Sequence, residues 1–180
     1  MKNSRCPGAG SFFVPDLIAH NLIASYLSRM SMDDPLSLDR QICFPLYAAA
    51  RAMTQAYAPL LSRLGLTYPQ YLVLLVLWET DGETVKGMGE RLYLDSGTLT
   101  PLLKRMESQG LVRRERSAED ARSVRIYLTS EGRALRRKAT SIPEAMACKL
   151  GLTLEEATRL RRDVQRLFEV LSQSHVDSAK

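Results

Sequence analysis

The residues best suited to chemistry are Cys43 and the tyrosines that follow it in the segment DRQICFPLYAAARAMTQAY. Proline is tolerated in the first turn of a helix, so Pro45 predicts a helix start between Gln41 and Phe44. Cys43 would then lie at a helix N-terminus, where free backbone N–H groups and the helix dipole favour a reactive thiolate. The other interpretation is an inert thiol that packs on an apolar helix face.

Two tyrosines in this segment, Tyr47 and Tyr57, can donate hydrogen bonds to a sulfur anion and so stabilise it. Tyr57 follows Cys43 by 14 residues. At about 1.5 Å per residue, a straight helix would separate them by about 21 Å. If Tyr57 serves the thiol, it does so from a second subunit, and oxidation of the sulfur would then disturb subunit packing.

The cysteine pattern excludes two other classes of site. Cys6, Cys43 and Cys148 are odd in number and lack metal-ligand spacing, which argues against a disulfide scaffold and a zinc site. We expect a reducing, cytoplasmic compartment and no cofactor or metal. The longest apolar run, YLVLLVLW, is well short of the roughly 18 residues that a membrane span needs, so no membrane partner is expected.

Helical patterns surround the thiol. Ser37 can cap a helix whose apolar residues recur at three and four positions: Cys43, Leu46, Tyr47, Ala50, Met53, Tyr57 and Leu61. Pro59 is expected to kink or restart this helix. Thr67 and Gln70 form a capping-box pattern ahead of YLVLLVLWE, which predicts a buried central helix.

A helix-turn-helix and a hairpin follow in the chain. TVKGMGERLYLDSGTLTPLLKRMESQG contains two short helical patterns around a tight polar turn, and LVRRER and VRIYL are typical of paired strands. This order predicts a mainly α winged helix with a small β-hairpin wing. The face of the second helix that can enter a DNA groove carries Ser96, Thr98, Thr100, Lys104 and Arg105. Alternatively, these are ordinary surface residues of a helical bundle.

The segment SAEDARS at the hairpin tip contains Asp120 and Arg122, two residues apart. An exposed ion pair contributes less than about 1 kcal/mol, so stability is a poor reason for it. We expect Asp120 to orient Arg122 for a narrow minor groove. An incidental pair is the alternative.

The charge distribution agrees with a polyanion-facing surface. The chain carries a net charge of +5, and residues 85–138 hold 13 basic and 7 acidic residues, a difference of +6. The rest of the chain therefore sums to −1. A basic middle between near-neutral ends is typical of nucleic-acid binding.

The C-terminal part is predicted to be helical and to associate. A helix opens at Thr129 and is expected to break at Pro143, and Thr153 with Glu156 forms a capping box for the last helix. That helix carries an apolar seam at Ala157, Leu160, Val164, Leu167 and Leu171. Such a seam requires a partner helix, which predicts the core of a dimer.

DRQICFPLYAAARAMTQAY, LGLTYPQYLVLLVLWE and ERLYLDSGTLTPLLKRMESQGLVRRERSAEDARSVRIYLTSEG together resemble the two-cysteine subgroup of the organic hydroperoxide resistance regulators, a branch of the MarR-type winged-helix repressors. The resemblance covers roughly residues 36–150. It implies that residues 36–66 and 131–175 are dimerisation helices and that residues 67–130 form the winged helix-turn-helix. Residues 1–35 are then an N-terminal extension, which we expect to be poorly ordered.

The resemblance also implies roles for individual residues. Cys43 matches the peroxide-sensing cysteine, and Tyr57 and Tyr68 match the tyrosines that hydrogen-bond its sulfur across the dimer. Tyr47 matches a further pocket position. Cys148 matches the resolving cysteine, which forms an intersubunit disulfide with the sensing one, and Arg122 matches the wing-tip arginine. The implied function is a homodimeric repressor that leaves a pseudo-palindromic operator when an organic hydroperoxide oxidises Cys43.

Two other functions are compatible with parts of the sequence. In a thiol peroxidase, Cys43 would turn over and Cys148 would resolve it, but the basic hairpin would then have no role. In a ligand-responsive MarR-type regulator, the interface cleft would bind a small aromatic molecule and Cys43 would only pack.

Overall fold

The computed structural model describes residues 34–116 and 123–177, which form two compact units that divide after Ala139. Residues 1–33 of the expected N-terminal extension, and with them Cys6, lie outside the described residues. So do the predicted wing-tip residues Asp120 and Arg122.

The described part of the first unit carries the helix-turn-helix and the wing. After a short 3-10 turn at Leu38–Arg40, its elements are α1 (Cys43–Ser62), α2 (Tyr68–Glu79), β1 (Glu83–Thr84), α3 (Val85–Leu92), α4 (Ser96–Ser108), β2 (Val112–Arg116), β3 (Val124–Leu128) and α5 (Ser130–Ala139). In the second unit, α6 (Ile142–Leu150) precedes α7 (Leu154–Asp177).

Helix α1 begins at Cys43, inside the predicted window, and Pro45 lies in its first turn. Two details of the prediction were wrong. Ser37 precedes the 3-10 turn and makes no side-chain cap, because that turn occupies the backbone before α1. Helix α1 also continues through Pro59 to Ser62, so the helix does not restart there.

The central helix α2 confirms the capping-box prediction. The Thr67 N–H donates to Gln70 Oε1 over 2.8 Å, and Pro69 lies in the first turn. Its buried residues cover more than half of its circumference, and Leu75 and Glu79 lie on the exposed remainder: Gln70, Tyr71, Val73, Leu74, Val76 and Leu77 are buried. Helix α2 therefore forms the middle of the core of the first unit.

The helix-turn-helix and the wing strands also follow the prediction. Helix α4 buries Leu99, Leu102, Leu103 and Met106, its predicted inward stripe. Strands β2 and β3 pair antiparallel, with Val112 opposite Leu128 and Arg116 opposite Val124. The sequence did not predict β1, a two-residue strand that pairs with β3 and gives the sheet order β1-β3-β2.

The base of the wing is held by contacts distant in sequence. Asp81 accepts from the Leu128 N–H over 2.8 Å and pairs with Arg133 of α5 over 2.6 Å. The Trp78 indole N–H donates to the Gly132 carbonyl over 3.0 Å. A Cβ at Gly132 would lie 2.2 Å from the Leu111 carbonyl oxygen, so only glycine allows α5 to approach the wing this closely.

In the second unit, the prediction for Pro143 was wrong. The preceding helix already ends at Ala139, and Pro143 lies in the first turn of α6, where a missing N–H costs nothing. The predicted cap of α7 is confirmed, because the Glu156 carboxylate accepts from the Thr153 N–H over 2.8 Å. The α7 seam is open in the single chain, with Leu160 and Leu171 each more than half exposed. Among the described helices, none combines the length and apolarity required to span a bilayer.

Candidate redox sensor and nucleic-acid interface

Cys43 is the first residue of α1 and an exposed, free thiol. The first-turn N–H groups of a helix lack intrahelical acceptors, and the dipole favours negative charge at this end. Pro45 has no N–H of its own, so the other first-turn N–H groups and the dipole supply this effect. The position therefore suits an oxidant-reactive sulfur that is accessible in the single chain.

Tyr47 lies one turn after Cys43 and is also exposed. Its hydroxyl accepts a hydrogen bond from Arg51 Nη1 over 2.8 Å, and the Arg51 guanidinium carbon lies 5.5 Å from the ring centroid. Tyr47 thus lies on the same half of α1 as the Cys43 thiol, and Arg51 contacts its ring and its hydroxyl.

The other two predicted pocket tyrosines meet at the far end of α1. The ring centroids of Tyr57 and Tyr68 are 5.0 Å apart, and Tyr71 lies 5.9 Å from Tyr57. The array continues from Tyr71 to Trp78 over 6.2 Å. Sequence reasoning missed Tyr71, because its aromatic ring looked like one more apolar residue of the central helix.

Burial raises the pKa of Tyr57, and the neighbouring Tyr68 raises it further. Burial likewise raises the pKa of Tyr71, with Tyr57 and Tyr68 as the smaller causes. A phenol is protonated at neutral pH at its ordinary pKa of about 10, and the raised pKa keeps both hydroxyls in that form. Both side chains therefore remain hydrogen-bond donors, the form required to stabilise a nearby anion.

The single chain does not assemble the predicted sensor. Cys43 and Tyr57 are 14 residues apart on one continuous helix, a rise of about 21 Å. Cys148 lies in the last turn of α6, in the other unit, and is exposed. Cys43 is a free thiol, so the two cysteines are not joined to each other here.

The predicted DNA-contacting residues lie along one accessible side of α4. Ser96, Thr98, Lys104 and Arg105 are exposed, and Thr100 is half-buried. Thr100, Lys104 and Arg105 lie on the side of α4 away from the buried leucine stripe, and Ser96 and Thr98 lie at its exposed start. The packing of α4 therefore leaves these side chains available to a groove.

Asp95, which the sequence analysis did not single out, organises the start of α4. Its carboxylate accepts from the Thr98 N–H over 2.9 Å and from the Thr98 hydroxyl over 2.8 Å. These two hydrogen bonds lower the pKa of Asp95. The Asp-Ser-Gly-Thr order at a helix start is an N-cap signal that could have identified it.

A groove of about 620 Å³ separates this helix start from the wing strands. Arg114 on β2 lines it, and the Arg114 Nε atom is buried without a hydrogen-bond partner among the residues that the structure describes. On the outer side of the same strand, the Arg113 guanidinium carbon lies 4.6 Å from the Tyr127 ring centroid. The Tyr127 ring therefore packs against the Arg113 guanidinium in a cation–π contact.

The family model for the transcriptional regulator SarA/Rot matches residues 55–138. The organic hydroperoxide resistance transcriptional regulator of Bacillus subtilis is 53% identical over 142 residues, which cover 79% of this chain and 95% of the relative. This chain belongs to the organic hydroperoxide resistance transcriptional regulators. As a member of that family it is a MarR-type winged-helix regulator and not an enzyme, which removes the peroxidase alternative.

Solved structures of AbfR from Staphylococcus epidermidis are similar to this regulator. Reduced AbfR bound to DNA is 37% identical, with a TM-score of 0.62, and the match covers 74% of this chain and 94% of AbfR. The disulfide form of AbfR is 34% identical, with a TM-score of 0.53, over 83% of this chain and 98% of AbfR. AbfR thus has structures with DNA in both the reduced and the overoxidised states, and another structure with a disulfide.

Proposed function

We propose that this regulator is a cytoplasmic, homodimeric repressor that binds a pseudo-palindromic operator when Cys43 is reduced and releases it when an organic hydroperoxide oxidises Cys43. The observation that carries the proposal is the division of the sensor along α1. The free thiol occupies the first residue, and the phenol donors Tyr57 and Tyr68 meet at the opposite end.

A twofold axis between two copies of α1 would bring the sensor together. Antiparallel helices place the N-terminus of one beside the C-terminal half of the other. The Cys43 thiol would then face Tyr57 and Tyr68 of the second copy. The apolar side chains exposed on the first turns of α1 support this pairing, as do those on α7: Ile42, Phe44, Leu46, Leu160, Val164 and Leu171.

The first chemical step is attack of the Cys43 thiolate on the terminal peroxide oxygen. The O–O bond breaks, the sulfur gains that oxygen, and the remaining alkoxide takes up a proton and leaves as an alcohol. Cys43 becomes a sulfenic acid and the hydroperoxide is reduced.

In the second step, Cys148 enters as a thiol and attacks the sulfenic sulfur of the other subunit. A disulfide forms and water leaves, which protects the sulfur from irreversible over-oxidation. The disulfide form of AbfR supports this step by analogy. Bonding between α6 of one subunit and α1 of the other would displace the dimerisation helices, and with them the two DNA-reading heads.

The DNA interface consists of the exposed face of α4 in the major groove, with Thr98, Lys104 and Arg105 as central contacts. The wing follows in the minor groove, with Arg122 oriented by Asp120 at its tip. Two recognition helices of a dimer must meet half-sites about 34 Å apart, and the affinity should fall steeply with salt. The DNA-bound AbfR structure supports this assignment.

The test is a DNA mobility shift with wild type, Cys43→Ser and Cys148→Ser, each with and without cumene hydroperoxide. The probe is a duplex selected by the reduced wild type from a random-sequence pool. Wild type should release the duplex and run as a covalent dimer on a non-reducing gel. Cys43→Ser should stay bound, and Cys148→Ser should react without forming the covalent dimer.

Two results would contradict the proposal. If Cys43→Ser releases DNA under peroxide as readily as wild type, Cys43 is not the sensor. If Cys43→Ser ignores peroxide and releases DNA on addition of a small aromatic ligand, as wild type does, the ligand-responsive alternative is correct.

A further inference from the structure

Gln70 is the one polar or charged side chain buried within the described parts of the chain, with 4% of its surface exposed. A buried carboxamide costs free energy unless its oxygen and its NH₂ group are both bonded. The hydrogen-bond partners of the Gln70 carboxamide therefore fix its orientation.

Both ends of the Gln70 amide are occupied. Its Oε1 atom accepts from the Thr67 N–H over 2.8 Å, and its Nε2 atom donates to Gln109 Oε1 over 2.7 Å. Reversing the amide would set its NH₂ group against the Thr67 N–H donor, so the hydrogen-bond network assigns one orientation. Gln70 therefore joins two backbone segments that are 39 residues apart.

The two segments are the start of the tyrosine-bearing helix and the end of the recognition helix. Thr67 and Gln70 flank Tyr68, whose ring centroid lies 5.0 Å from that of Tyr57. Gln109 is the C-terminal cap of α4, and its N–H donates to the Arg105 carbonyl over 3.0 Å. The Gln70 amide, through the Gln109 side chain, thus connects the start of the tyrosine-bearing helix to the helix that carries Arg105.

We propose that Gln70 is a positioning residue that couples the sensor end of α2 to the recognition helix through Gln109. The inference rests on the function proposed above. Because most of α2 is packed in the core, we expect a displacement of Tyr68 to shift the start of the helix as a body. The Gln70 amide carries this shift to the end of α4.

Gln109 offers the sharper place for a test, because it is exposed and its replacement creates no cavity. Gln109→Ala removes the acceptor of the Gln70 NH₂ group. Gln109→Glu keeps an acceptor and should restore the link. Ser108→Ala is the matched control, since Ser108 Oγ donates only within α4, to the Arg105 carbonyl.

The experiment measures operator affinity of each variant before and after cumene hydroperoxide, with trapping of the Cys43 sulfenic acid and thermal unfolding in parallel. Gln109→Ala should form sulfenic acid at the wild-type rate. Its loss of DNA affinity on oxidation should be smaller than that of wild type by about fivefold or more, the usual lower range of an allosteric coupling. Gln109→Glu and Ser108→Ala should respond like wild type.

The inference is overturned if oxidised Gln109→Ala releases DNA as fully as wild type. If reduced Gln109→Ala already binds DNA weakly, the Gln109→Glu variant distinguishes the two explanations. Restored DNA binding and restored release on oxidation support the link. Weak DNA binding by both variants overturns it. These outcomes differ from failure of the proposed function. If the proposed function fails, oxidised wild type itself stays bound to the operator, and the Gln70–Gln109 link then has no sensor to couple.

Discussion

The two halves of helix α1 differ in what covers them. Toward its end, Leu61 is fully buried and Tyr57 packs on Tyr68 and Tyr71. Toward its start, Cys43, Leu46 and Tyr47 are exposed in the single chain. The C-terminal half thus belongs to a core completed within the chain, whereas the N-terminal half presents apolar and reactive groups to a partner. The comparison indicates that the exposed thiol and the core contacts occupy different halves of one helix.

The largest effect is expected where the core is complete. Leu74 on α2 is fully buried, so Leu74→Ala should leave a cavity and cost about 2–5 kcal/mol of unfolding free energy. Urea unfolding followed by circular dichroism measures it. Leu75→Ala, one residue along and 36% exposed, is the matched control and should cost much less. Equal costs for the two variants would mean that α2 is not the centre of the core.

A smaller effect, of a different kind, is expected at the open seam of α7. Leu160 is 52% exposed in the single chain, so Leu160→Glu should leave the folded subunit intact. A charge in a dimer interface should raise the dimer dissociation constant by about tenfold or more, which is about 1.4 kcal/mol. Sedimentation equilibrium measures it, with Arg161→Glu on the neighbouring exposed position as control. An unchanged dimer would remove the seam from the proposed interface.

The smallest effect is a pH dependence at the start of α4. The Thr98 hydrogen bonds lower the pKa of Asp95 in the folded protein, so they stabilise it above the unfolded pKa of about 3.9. This contribution should disappear as the pH falls from about 5 through the lower folded pKa. Asp95→Asn keeps a neutral cap, so its difference in urea midpoint from wild type should shrink over that range. A constant difference would show that the Asp95 charge does not contribute.

Local signals predicted much of this architecture. Caps, turn residues and apolar periodicity located the central helix, the helix-turn-helix and the paired wing strands, because each depends on residues close in sequence. Pro143 shows the limit of such signals, since a proline fits both the end of one helix and the start of another. Only the placement of Ala139 and Ile142 in the fold distinguishes the two.

The candidate site likewise has parts that local sequence signals identify and parts that depend on tertiary packing or on a second subunit. Thr67 and Gln70 were identifiable as a cap because they are three residues apart, but the second hydrogen bond of Gln70, to Gln109, depends on tertiary packing. Cys43, Tyr57 and Tyr68 were identifiable as residues with sensor chemistry. How they meet depends on a second subunit, and that part remains a prediction.

Mixed dimers test the shared sensor most directly. One subunit carries Cys43→Ser, and the other carries Tyr57→Phe and Tyr68→Phe. If the tyrosines serve the thiol across the interface, this heterodimer keeps one intact site, formed by Cys43 of the second subunit and the tyrosines of the first. Its Cys43 should then react with cumene hydroperoxide at the wild-type rate per thiol. A rate as slow as that of the homodimer carrying both phenylalanines would contradict the account, because the tyrosines would then serve the thiol of their own chain.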